Sequence, residues 1–168
     1  MTKFGLYFFT ILIIFLSGCS QSGSTAFLAP STLSGSSAKF EGNVSDPGSI
    51  AFFKNNVGDR VLFSIDQSDI DQSGRDILLA QVDWLKLNSD YKIIIEGHAD
   101  ERGTREYNLA LGARRANSAR EFLVSRGIES SRIQTVSFGK ERPVELCSKE
   151  KCYSENRRAV SVVSNLNF

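Results

Sequence analysis

With one histidine and three cysteines in 168 residues, the chain lacks the clusters of nitrogen and sulfur ligands that structural zinc sites use. No serine, cysteine or carboxylate is spaced from His98 in a recognisable nucleophilic motif, so no catalytic centre can be read from the residues. Excess charge of one sign is also missing. The formal net charge is +1 at pH 7, which excludes the strongly basic face of a protein that binds nucleic acid along its length. The longest apolar run, Phe4 to Leu16, falls short of the ~20 residues that cross a bilayer.

That run has the form of a signal-peptide core instead, with Lys3 ahead of it and small residues after it. Leu16-Ser17-Gly18-Cys19 resembles a bacterial lipobox, which implies a signal peptide of residues 1–18 and lipidation of Cys19. Ser20, where sorting analogy would put Asp in a protein held back at the inner membrane, points to the outer membrane. Lys3 is the only charged residue before Cys19, so the chain beyond it balances 19 basic against 19 acidic side chains. From Ser20 to Asn43 the composition turns to Ser, Gly, Thr and Ala, that of a flexible tether, giving residues 19–43 as lipidated terminus and linker. Residues 44–168 suit one globular domain. Cys147 and Cys152 remain, four residues between them in a polar stretch. An oxidising, exported compartment favours a disulfide there, worth about 2 kcal/mol for so short a loop.

Hydrophobic patterning divides the domain into alternating elements. A short helix is expected near Ser49–Asn56, a strand over Arg60–Asp66, and an amphipathic helix over Ser73–Leu87 with Ile77, Leu78, Val82, Trp84 and Leu85 inward. Tyr91–Glu96 reads as a second strand, Thr104–Arg126 as a helix, and Arg132–Phe138 and Arg158–Ser164 as the last two strands. The order β-α-β-α-β-β makes this an α+β fold, a mixed four-stranded sheet with both helices on one face.

The stretch from Ile94 to Arg120 has the form of a ligand site: an apolar strand, a turn rich in charge and glycine, then a helix. Ligands gather beyond the carboxyl ends of strands in open sheets. Thr104 can cap the helix, Glu106 suits its positive end, and Gly127-Ile128 reads as a left-handed C-cap. Positions 108, 111/112, 115, 119 and 122 share a face. Asn108 and Arg115 thus lie together, with Gly112 leaving room between them. Asp100 can hold an ammonium and Arg115 a carboxylate in its planar fork, so the pair suits a small zwitterion. His98 fits a structural role at the strand end, hydrogen-bonded to the loop that follows. Asn156, Arg157 and Arg158 either line the site or tie down the last strand.

EGHADERGTREYNLALGARRANSAREFLVSRGI, from Glu96 to Ile128, resembles the signature of the OmpA-like peptidoglycan-binding domain family, and especially of its lipid-anchored members. The likeness runs from Val57 to the C-terminus through VLFSIDQSDI, VSFGKERPV and ENRRAV. It implies a sheet of strand order 1-4-2-3 and a non-enzymatic protein without a cofactor. The implied ligand is the diaminopimelate-containing stem peptide of peptidoglycan. By position, Asp100 and Arg115 match the two charged residues that grip diaminopimelate, while Phe63, Asn108 and Arg102 match positions lining the pocket. The implied partners are peptidoglycan, the outer membrane through the lipid anchor, and TolB with other Tol proteins. A wall-binding lipoprotein outside the Tol system, and a wall-processing enzyme, are the alternatives. Two departures stand out: Ser64 replaces an acidic residue common in the first-strand motif, and the Cys147/Cys152 pair is absent from many members.

Overall fold

A short helix, α1 (Ile50–Phe52), starts at Ser49, whose Oγ accepts the Phe52 amide at 3.0 Å, and opens directly into a π-helical stretch, Phe53–Gly58. The computed structural model describes residues 42–165. The expected signal segment, the lipidation residue Cys19 and the tether up to residue 41 lie outside the described residues. Strand β1 (Arg60–Leu62) follows, then α2 (Gln72–Leu87), β2 (Lys92–His98), α3 (Arg105–Ser125), β3 (Ile133–Gly139), α4 (Glu150–Asn156) and β4 (Arg158–Ser164). The sheet order is β1-β4-β2-β3, with β4 antiparallel to both neighbours and β2 parallel to β3. This is the expected mixed α+β sheet.

Three boundaries differ from expectation. β1 ends at Leu62 rather than Asp66. The Phe63 amide still reaches Arg157 O at 2.9 Å, but Asp66 then turns the chain out of the sheet at φ 57°, a left-handed conformation that Asp tolerates better than most residues. β2 runs on to His98 through a bulge at Gly97/His98, carrying the site two residues further than the apolar run suggested. The stretch before the last strand, read as a polar loop, holds the seven-residue helix α4. The Cys147–Cys152 disulfide is present there, its Cα atoms 5.7 Å apart.

Pleat alternation puts Val61, Ile93, Ile95, Ala159, Val163 and Ile133 on one sheet face, against Leu78, Val82 and Leu85 of α2 and Ala116, Ala119 and Leu123 of α3. Asp71 caps α2, its side chain accepting the Gly74 amide at 2.7 Å. Thr104 caps α3 by accepting from Tyr107 N at 3.2 Å. Gly127 at φ 94° ends α3, and buried Ile128 returns its amide to Leu123 O at 3.1 Å. The helix lies unusually close to the sheet. A Cβ on Gly97 would stand 1.8 Å from the Gly112 carbonyl oxygen, and one on Gly112 would meet Ser137 Oγ at 2.4 Å. The room that Gly112 leaves is therefore filled by β2 and β3, not by a ligand.

Candidate functional site

At the carboxyl end of β2 a depression of about 290 Å³ opens between the Asp100–Gly103 loop, the first turns of α3 and the Ile65–Asp66 bend. Asp100, Arg102, Asn108 and Arg115 all line it. Sequence reasoning named these four. It did not name Ile65, Asp66 and Tyr107, and it put position 111 only on the face shared by Asn108 and Arg115; these residues and Gly103 complete the wall. Tyr107 stands one position from Asn108 on a helix whose orientation the spacing alone did not fix. Asp66 enters only because the chain leaves the sheet early. The Tyr107 hydroxyl donates to Asp66 Oδ1 across the depression.

Arg115 is fully buried. Its Nε donates to Gln67 O at 2.8 Å, Nη1 to His98 O at 2.8 Å and Nη2 to Ser64 O at 3.1 Å, while its guanidinium lies 5.3 Å from the Phe63 ring centre. A guanidinium has five N–H bonds, so two remain uncommitted to these carbonyls and can serve a carboxylate. Burial, with Arg157 adding to it, pushes its pKa down to about 10, which leaves it charged at pH 7. Phe63 does not line the depression. It belongs to the core and backs Arg115. Ser64 contributes only its backbone carbonyl to Arg115, a contact any residue can make.

Asp100 is already engaged. Arg102 donates to it three times, through its amide at 3.1 Å, Nε at 3.3 Å and Nη2 at 2.6 Å, and Arg157 Nη1 donates at 3.2 Å. Burial opposes ionisation of Asp100, but the bonds from Arg102 and then Arg157 outweigh it and hold the carboxyl below the usual carboxylate range. With about four lone-pair positions filled, an incoming ammonium reaches Asp100 only by displacing a donor. The half-exposed Arg102 is the one free to swing away, whereas Arg157 is buried. Asn108 Nδ2 holds the same loop through Arg102 O at 2.7 Å.

Among the alternatives left open by the sequence, Arg157 joins the site through Asp100 and also ties Phe63 O at 3.0 Å. Asn156 and Arg158 tie the chain around Arg142–Glu145 instead. His98 departs from expectation. Neither ring nitrogen has a hydrogen-bond partner among the described residues, and the ring packs 5.6 Å from Phe138. Burial, reinforced by Arg158 and Arg142, lowers its pKa to about 4, so its 3.6 Å approach to Glu96 is no ion pair at neutral pH. Its backbone carbonyl, not its ring, serves the site. No group of three or more His, Cys, Asp and Glu side chains is arranged to hold a metal among the described residues.

The OmpA family profile matches residues 62–162. The chain is 47% identical over 154 residues to the peptidoglycan-associated lipoprotein of Mesorhizobium japonicum, covering 92% of this chain and 88% of that one. It is 53% identical over 118 residues to the peptidoglycan-associated lipoprotein of Brucella melitensis, covering 70% of each. Among solved structures, that of the peptidoglycan-associated lipoprotein from Burkholderia pseudomallei superposes with a TM-score of 0.64 at 36% identity, covering 72% of this chain and 98% of the other.

Proposed function

The chain belongs to the OmpA family, and from that premise we propose that it is a lipid-anchored outer-membrane protein whose periplasmic head binds peptidoglycan without covalent chemistry. It binds rather than catalyses. Residues 1–18 serve as the signal peptide, Cys19 carries the lipid, the segment up to Asn43 is the tether, and the rest is the binding head. The observation that carries the reading is the pairing of a buried cation and a carboxylate around one depression of about 290 Å³. A diaminopimelate side chain presents an ammonium and a carboxylate on one carbon, and these are the complements of Asp100 and Arg115.

Binding then proceeds as an exchange. The ligand carboxylate takes the uncommitted N–H bonds of Arg115, its ammonium replaces Arg102 on Asp100, and the freed Arg102 and Asn108 close over the peptide. Because one charged hydrogen-bonding set replaces another, each contact is weak in net terms, and firm attachment comes from many heads on one polymer. Membership of a Tol complex, with TolB as a partner during constriction at division, completes the proposal and rests on the family resemblance of the sequence alone. The deciding test is calorimetric titration of the full-length protein with a diaminopimelate muropeptide and its lysine counterpart. Selective binding lost in Asp100→Asn is expected, in a protein that still unfolds cooperatively but at a lower temperature because Arg102 and buried Arg157 lose their carboxylate. Equal affinity for both peptides would overturn the zwitterion reading.

A further inference from the structure

Helix α4 contributes no residue to the depression's lining, yet it is the wall against which the Asp100–Gly103 loop rests. Tyr153 Oη and Ser148 Oγ both donate to Glu101 Oε1, at 2.8 and 3.0 Å, and the Arg102 guanidinium lies 4.7 Å above the Tyr153 ring. Glu150 Oε1 accepts from Arg157 Nη2 at 2.6 Å, and the other end of that guanidinium reaches Asp100. Glu150 Oε2 stands 3.8 Å from Arg102 Nη1. Both arginines that engage Asp100 are thus held from behind by one short helix.

That helix has little of its own to stand on. Seven residues are well below the length at which a helix is stable alone, and its N-cap residue Lys149 makes no side-chain capping bond. Apart from these contacts with the loop and Arg157, its attachments are Asn156 at its C-terminal end and, in its first turn, the disulfide from buried Cys152 to Cys147. We infer that the disulfide-braced α4 is a positioning element for the ligand loop, with Glu150 and Tyr153 setting affinity at Asp100 and Arg102 without touching ligand. The affinity part of this inference rests on the peptidoglycan reading above. The positioning part does not.

The test uses the full-length protein, oxidised and after dithiothreitol. Reduction places two electrons and two protons on the two sulfurs, giving two thiols, while the reagent's own thiols close into a cyclic disulfide. Two quantities are read: hydrogen exchange of the Arg102 amide, which is bonded to Asp100 Oδ1, and affinity for the diaminopimelate muropeptide. Reduction, and equally Cys147→Ser with Cys152→Ser, is expected to speed Arg102 exchange and weaken binding about fivefold to tenfold, while β2 and α3 keep their protection. Tyr153→Phe, which removes a single hydroxyl, is expected to move both quantities the same way. In Glu150→Gln with Tyr153→Phe, reduction should add nothing further, a non-additivity that a general loss of stability would not produce. Unchanged Arg102 exchange after confirmed reduction overturns the inference, as does an equal effect of reduction in the double variant. Faster exchange in a protein that binds no muropeptide even when oxidised supports the positioning role and overturns the peptidoglycan reading instead.

Discussion

Arg115 serves two roles at once, and its substitution will report both. Backbone carbonyls of Ser64, Gln67 and His98 accept from it, so Arg115→Ala takes the donor from the buried His98 carbonyl, empties the space of a fully buried side chain and removes the ligand's cation. A loss of about 3–5 kcal/mol in a denaturant titration is expected. Spacing showed which face Arg115 shares, but not that the chain after β1 would leave the sheet and wrap its carbonyls around the side chain. Asp100→Asn, which keeps shape and removes charge, is the cleaner probe of binding. His98 makes a separate prediction. Its pKa is lowered in the fold from 6.5 to about 4, so between these values the unfolded chain binds a proton that the folded one does not. The associated stability is complete above pH 6.5 and is lost as pH falls toward 4, by on the order of 3 kcal/mol. Melting followed from pH 7 to pH 4 should fall less steeply in His98→Phe than in the native protein; parallel curves would refute the assignment.

Between elements, the decisive contact is α3 against β2 and β3, where Gly97 and Gly112 face one another almost backbone to backbone. Either Gly97→Ala or Gly112→Ala must push the helix outward, and because α3 carries Asn108 and Arg115, the site opens with it. Thermal melting should show a loss of several kcal/mol, at the upper end of what single substitutions cause. Muropeptide affinity should fall in the protein that remains folded. The elements themselves were largely legible. The apolar runs of β2 and β4, the 3.6-residue stripe of α2, and the caps Thr104 and Gly127 are local signals that packing left intact. What was not legible depended on distant partners. α4 lacks an apolar stripe and exists through its disulfide and its bonds to the ligand loop. Asp66 takes a left-handed turn that no neighbouring glycine announces. Of the four pocket residues named in advance, Asp100, Asn108 and Arg115 followed from charge and helix spacing and again from the family likeness, whereas Arg102 was placed in the pocket by the likeness alone.

For the molecule as a whole, the proposed division of labour separates anchor from grip. Cys19→Ser should abolish incorporation of labelled palmitate and release the protein from membranes, while leaving its sedimentation with purified peptidoglycan unchanged. Asp100→Asn should do the reverse, and loss of both properties in either variant would show that anchor and head are not independent. The sheet order carries one more consequence. Among the described residues β4, made after the other three strands, is inserted between β1 and β2 and supplies the only pairing that β1 has. The sheet therefore cannot close while residues 158–164 are still being synthesised or threaded across a membrane. A chain cut before Arg157 would leave β1 without its β4 partner and Asp100 without that buried guanidinium. Completion of folding thus waits on the delivery of β4, and the chain ahead of it stays threadable until that strand is available.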